Sequence, residues 1–308
     1  MAQLPVPGAA QAVVTRRELL LGAAAAPFAV LAMPPAYTGK LCLFSKHLPQ
    51  MDWRRLARTV KQLGFDGVDL TVRKDGHVAP ERAAEDLPAT VAAIREEGLE
   101  VPMITTGLLS VRDPAAEPTL AAAGKTGIPF CKPGYYKYDF VDVRKELEKV
   151  AEEFRALAGL ARQHGVQIGY HNHAGYVGAP VWDIARMLEG LDSKWAGYYF
   201  DVCHAVTEGG EAGWKIALNM AAPRIKMASI KDFYWEKSSG RGWRPRFCPL
   251  GEGMVDWKYY FQALAKAGFQ GPISLHLEYE IPGATAAARE ENTLAAAQRD
   301  FEFLKRSL

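Results

Sequence analysis

Four short runs of this chain carry histidine, aspartate, lysine or glutamate where a strand would end, a set suited to moving protons and to holding a cation or an oxyanion. Gly165-Val-Gln-Ile-Gly-Tyr-His-Asn-His-Ala-Gly175 ends in His171 and His173. Side chains alternate across a strand, so Gln167, Gly169, His171 and His173 share one face, and Val166, Ile168 and Tyr170 take the apolar one. Tyr199–His204 carries Asp201 and His204, and Ile225–Asp232 carries Lys231 and Asp232. Ile273–Glu278 sets Ser274, His276 and Glu278 opposite Ile273, Leu275 and Leu277. A lone His-x-His pair reads equally well as solvated imidazoles. Four repeats of the pattern describe polar groups delivered to the mouth of a parallel barrel.

The elements that position these groups follow a regular rhythm. Strands are expected at 40–44, 67–73, 101–105, 128–132, 166–171, 196–201, 224–230 and 272–277. Helices are expected at 52–63, 82–97, 115–123, 141–164, 181–188, 212–220, 256–266 and 284–304, with Asp52 a plausible N-cap and Gly98 a C-terminal stop. The stripe from Val143 through Phe154 to Leu160 marks a core-facing helix. The segment from Phe233 to Gly253, rich in Trp, Arg and Gly, is expected to be a loop. About eight β-then-α units predict a single (β/α)8 TIM barrel over residues 37–308. A doubly wound sheet is the alternative, but no Gly-x-Gly-x-x-Gly turn follows an early strand.

The 308 residues are 49% hydrophobic and 23% charged, with a net charge of +2. That is an ordinary globular mix, without the basic excess of a nucleic-acid binder. The four cysteines, at 42, 131, 203 and 248, lack Cys-x-x-Cys spacing and are expected to be free thiols. Residues 1–36 read as a separate segment. Arg16-Arg17 precedes a short Ala-rich run broken by Pro27, the pattern of a bacterial twin-arginine signal, so a periplasmic or otherwise exported protein is expected. The run is too short for a stable membrane span. The sequence leaves the oligomeric state open.

Gly64-Phe-Asp-Gly-Val-Asp69, Tyr170-His-Asn-His173, Asp201-Val-Cys-His204, Ile230-Lys-Asp232 and Pro249-Leu-Gly-Glu-Gly-Met-Val-Asp-Trp257 together resemble the xylose isomerase-like barrel superfamily of sugar phosphate isomerases and epimerases, which also holds endonuclease IV-type enzymes. The resemblance implies a divalent metal held by Glu, Asp, His and Glu from four strand ends. Here those positions are His171, Asp201, Ser229 and His276, with Glu278 two residues on. Either a rearranged set of His171, Asp201, His276 and Glu278 holds the metal, or the site has left metal chemistry. Such nitrogen and oxygen donors would suit Mn, Zn, Co or Fe better than Mg.

Within that frame His173 and His204 would orient ligands or contact substrate hydroxyls. Lys231 would stabilise an enolate, or else pair with a barrel carboxylate. Arg73 and His77, in the loop after the second strand, and Glu252 in Gly251-Glu-Gly253 are substrate-contact candidates, with a plain turn the other reading of Glu252. Tyr135, Tyr136, Tyr138, Trp182, Trp235 and Trp243 could stack on a sugar ring or pack as core or lid. The expected function is a metal-dependent sugar or polyol isomerase or epimerase working through an enediolate, with Glu278 or His276 as base and Lys231 in support. The alternatives are a lyase or dehydratase on a keto-sugar or 3-keto glycoside, and a non-catalytic sugar-binding barrel. A phosphodiesterase would need more metal ligands than these strand ends supply.

Overall fold

The computed structural model describes residues 36–240 and 242–308. Residues 1–35, and with them nearly all of the expected export signal, lie outside the described residues. In chain order the elements are β1 (Leu41–Phe44), α1 (Trp53–Gln62), β2 (Gly67–Val72), α2 (Ala83–Glu96), β3 (Glu100–Thr106), α3 (Ala116–Lys125), β4 (Phe130–Lys132), α4 (Val143–Gln163) and β5 (Gln167–His171). There follow α5 (Val181–Met187), β6 (Ala196–Asp201), α6 (Val202–Ala221), β7 (Ile225–Ile230), β8 (Asp232–Ser238), β9 (Gly242–Cys248), α7 (Trp257–Lys266), β10 (Ile273–Leu275) and α8 (Ala286–Ser307). Parallel strands close in the order β1-β10-β7-β6-β5-β4-β3-β2, a TIM barrel ringed by the eight helices.

Local sequence explains the starts of the helices. The side chains of Asp52, Asp142, Asp201, Asp256 and Thr285 each accept a hydrogen bond from a backbone N–H in the first turn that follows. Each such cap contributes about 1 kcal/mol. Apolar faces then settle on the barrel, although the α4 stripe begins later than expected: Val143 is exposed, whereas Val150, Phe154 and Leu157 are buried. Inside the barrel, Met103, Tyr199 and Met227 form a small apolar cluster of their own. Gly169 makes room for it, since a Cβ there would collide with Met227.

Two expectations fail in instructive ways. The presumed loop 233–253 is largely an antiparallel hairpin, β8 pairing with β9 from Asp232↔Cys248 to Ser238↔Gly242. Its strands are mostly exposed, so they lack the apolar alternation that marks a core strand. Helix α6 starts directly after β6, ten residues ahead of the expected Ala212, and bends at Gly210, whose φ is 59°. The Gly209-Gly210 pair disguised this first segment as a loop.

The root of the hairpin is fixed by one carboxylate. Asp232 accepts hydrogen bonds from Gly251 N at 3.0 Å, Gly253 N at 3.2 Å and Trp257 Nε1 at 2.9 Å through Oδ2, and from Phe233 N at 2.8 Å and Val255 N at 3.3 Å through Oδ1. Among the described residues no helix is long and apolar enough to cross a membrane.

Candidate active site

Asp201 ends β6 and caps α6, which carries its carboxylate to the barrel mouth. Oδ1 accepts from His204 N at 2.9 Å. Oδ2 accepts from Ser229 Oγ at 2.6 Å, from His171 Nε2 at 3.0 Å and from the Lys231 ammonium at 3.0 Å. Burial opposes its ionisation, yet Lys231 and the neighbouring histidines hold the carboxyl well below the usual range. Lys231 is likewise penalised by burial, and the Asp201 charge more than offsets this, leaving the ammonium above its ordinary value. Its second partner is His204 Nε2 at 2.8 Å, so that imidazole accepts and carries its proton on Nδ1.

A second polar group is built from β2, β3, β6 and β10. Asp69 accepts from Thr105 Oγ1 at 2.8 Å, Ser274 Oγ at 2.8 Å and Tyr199 hydroxyl at 3.3 Å, while burial pushes its carboxyl up to about 6. A tyrosine hydroxyl has one proton to give. Because Tyr199 donates to Asp69, its oxygen accepts from His276 Nε2, 3.1 Å away. His276 is therefore the Nε2–H tautomer, with a lone pair on Nδ1 facing Glu278 Oε1 at 4.0 Å. Burial, then Lys231, keeps that ring far below the usual histidine value and so neutral. Phe44 stacks on it at 4.5 Å.

His171 spends both ring nitrogens. Nε2–H donates to Asp201 and Nδ1 accepts from the Tyr135 hydroxyl at 2.6 Å. Burial lowers its pKa to about 3 despite the carboxylate beside it. His173 donates from Nδ1 to its neighbour's carbonyl, Ala174 O, at 2.9 Å and packs tilted against His204 with ring centroids 4.1 Å apart, leaving Nε2 free.

Sequence-predicted residues sort by the cavity at this mouth. His171, His173, Lys231, His276, Glu278 and Arg73 line it, with His204 directly behind Lys231. His77 does not: its ring lies against Thr71 Oγ1 and Leu48 O, each at 3.2 Å. Glu252 is exposed in a separate outer groove shared with Tyr234 and Arg246. Of the aromatics only Tyr135 reaches the cavity. Tyr136 donates to Leu109 O and Tyr138 to Asp183, while Trp182, Trp235 and Trp243 are exposed elsewhere. Sequence reasoning passed over Lys132, Lys46 and Tyr199, all of which line the cavity. Lys46 forms a two-pronged ion pair with Glu278, at 3.0 and 3.1 Å.

The expected ligand set does not converge. His171 pairs with Asp201 at 3.0 Å, and His276 neighbours Glu278 at 4.0 Å. Among the described residues no group of three or more His, Cys, Asp or Glu is arranged to hold a metal ion. Three donors already fill Asp201 Oδ2, one of them an ammonium, so the donors present do not fit a divalent cation.

Comparison with known proteins agrees with the architecture. The family described as "Xylose isomerase-like TIM barrel" matches residues 57–307. An inosose dehydratase of Bacillus thuringiensis is 27% identical over 155 residues, covering 47% of this chain and 51% of its own. The chain thus matches about half the length of such curated relatives. Among solved structures, D-psicose 3-epimerase with D-tagatose from Clostridium cellulolyticum H10 superposes with a TM-score of 0.64 at 15% identity, covering 87% of this chain and 99% of its own. A xylose isomerase-like TIM barrel protein from Mycobacterium smegmatis, in complex with magnesium, gives 0.62 at 16% identity, covering 87% and 98%. At these identities the two structures share the fold.

Proposed function

Because the chain belongs to the xylose isomerase-like TIM barrel family, we propose that it is an enzyme that takes a keto-sugar or polyol ketone and moves the proton beside its carbonyl. One observation carries the reading: Lys46, Arg73 and Lys231 all line the mouth cavity, where Glu278 is the sole carboxylate among the described lining residues. Removing that proton places negative charge on the carbonyl oxygen, and fixed cationic donors in a water-poor site stabilise such charge more in the transition state than in the ground state. Lys231, kept charged by Asp201, is the oxyanion partner. His276 Nδ1 is the base, since its lone pair is unshared. Glu278 is ionised and paired with Lys46, and its carboxyl is held below the usual range by Lys231 and Lys46 against its partial burial. Its role is to orient.

The enolate has two fates. Protonation at the adjacent carbon or on the opposite face gives an isomer or epimer, while expulsion of a β-hydroxyl gives a dehydrated product. The inosose dehydratase relatives favour the second, and the sugar epimerase of similar fold is compatible with the first. Because the donors do not fit a divalent cation, no step is routed through one. Incubating the protein in deuterium oxide with ketohexoses, inososes and 3-keto glycosides tests the reading. Deuterium at the carbon beside the carbonyl is expected for at least one class, and binding without exchange across the panel would leave a sugar-binding barrel instead.

We further propose export, resting on Arg16-Arg17 and the Ala-rich run. A reporter fused to residues 1–36 should reach the periplasm, and replacing both arginines by lysine should retain it in the cytoplasm.

A further inference from the structure

Lys132 lines the same cavity, and the mechanism above gives it no task. It ends β4, with its backbone locked by register against Thr105 and by the Thr106 hydroxyl donating to its carbonyl at 2.9 Å. The residue is 2% exposed, yet it lines the cavity. Among the described residues no carboxylate lies within ion-pair distance of it, and no side chain or carbonyl accepts from its nitrogen. Its neighbour is the face of Tyr135, whose centroid is 3.3 Å from Nζ. Burying a lysine without a partner costs several kcal/mol if it stays charged, and desolvation, reinforced by Arg73, holds this amine well below the ordinary lysine range. A neutral amine opening onto a carbonyl-binding cavity is a nucleophile.

We propose that Lys132 captures the ketone substrate as an imine, which serves as the electron sink for enolisation where the family position for a divalent cation does not fit one. This rests on the keto-polyol reading of the same cavity. The Nζ lone pair forms the N–C bond while the carbonyl π pair moves to oxygen, which receives the proton the nitrogen releases. The nitrogen lone pair then expels that oxygen as water, one solvent proton entering with it, and an iminium cation remains. When His276 removes the α-proton, the C–H pair becomes a C=C bond and the C=N pair returns to nitrogen, giving an enamine. Reprotonation and addition of water reverse the capture, break the C–N bond and return the borrowed proton. Nothing is oxidised or reduced.

The test uses dihydroxyacetone as a small keto-polyol probe, with sodium cyanoborohydride to reduce any imine to a stable secondary amine, followed by peptide mapping. Exchange of the probe's carbon-bound protons in deuterium oxide is followed in parallel without reductant. Lys132 should be labelled at least about tenfold faster than the exposed Lys258, the neutral amine being the reactive form. Lys132→Met, verified as folded by its thermal transition, should lose both the adduct and the exchange. Labelling no faster than at surface lysines, or exchange that persists in Lys132→Met, would overturn the imine while leaving the enolisation reading intact. A Lys132 adduct without exchange would support the imine and sink enolisation.

Discussion

The Lys231 ammonium sits 3.0 Å from Asp201 Oδ2, with both side chains almost fully removed from solvent. A positive charge of the protein's own thus occupies the carboxylate on which a bound cation would depend. Removing one member of a buried pair strands the other. Asp201→Asn is therefore expected to lower unfolding free energy by about 3–5 kcal/mol, measured by urea denaturation. A change under about 1 kcal/mol, the scale of an exposed pair, would contradict the burial.

Chelation gives the complementary check. Dialysis against EDTA should leave the melting temperature unchanged, and adding manganese or magnesium back should not raise it, because a ligand stabilises a fold only if it binds the native state. A shift of several degrees that saturates with metal would restore the ligand set expected from sequence.

His276→Asn should cut solvent deuterium exchange by about 10²-fold or more, the scale of a general base, while leaving substrate binding nearly intact. Glu278→Gln should cost less than about tenfold in the same assay, since its carboxylate is committed to Lys46. The reverse order would reassign the base to Glu278.

Tyr199→Phe removes the hydroxyl that joins Asp69 to His276 and leaves His276 free to choose the other tautomer. About 1–3 kcal/mol of stability should go with an unsatisfied buried group. Turnover should fall while KM holds, which separates a positioning role from substrate contact.

Lys132 should leave a pH signature on stability. Between its depressed folded value and the ordinary 10.5, the unfolded chain binds one more proton than the folded one. Wild-type stability therefore rises with pH across that window by up to about 1.4 kcal/mol per unit, and the effect vanishes below the folded value. Lys132→Met lacks it. The variant should be more stable than wild type near pH 7, by a margin that narrows towards pH 9. A constant margin would mean that Lys132 stays protonated in the fold.

Strand parity alone located His171, His173, Asp201 and Lys231, because a period of two with apolar residues opposite leaves little choice of face. His276 and Glu278 obeyed the same parity although β10 stops at Leu275, one residue before His276 and three before Glu278. Lys132 was hidden by a three-residue strand and by the ordinary expectation that a lysine reaches water. Tyr199 stands in an aromatic run with Tyr198 and Phe200 that carries no sign of a polar role, and it is core except for its hydroxyl. His77 had the loop position of a substrate contact, but Thr71 turns its ring inward, a choice made by one hydroxyl that no periodicity reveals. The expected ligand set is not assembled among the described residues, and periodicity could not have told, because whether carboxylate lone pairs stay open depends on neighbours from three strands at once.

Asp232 hangs a seven-residue-per-strand ribbon from a single carboxylate. Such a cantilever is stiff at its root and compliant along its length, so amide hydrogen exchange should be graded rather than uniform. Gly251, Gly253 and Val255 N–H groups should exchange last, and the strand amides progressively sooner towards Ser238 and Gly242. Near that root Phe247 lies 5.4 Å from the Lys231 ammonium, so the stiff end of the ribbon is the end that touches the buried ion pair.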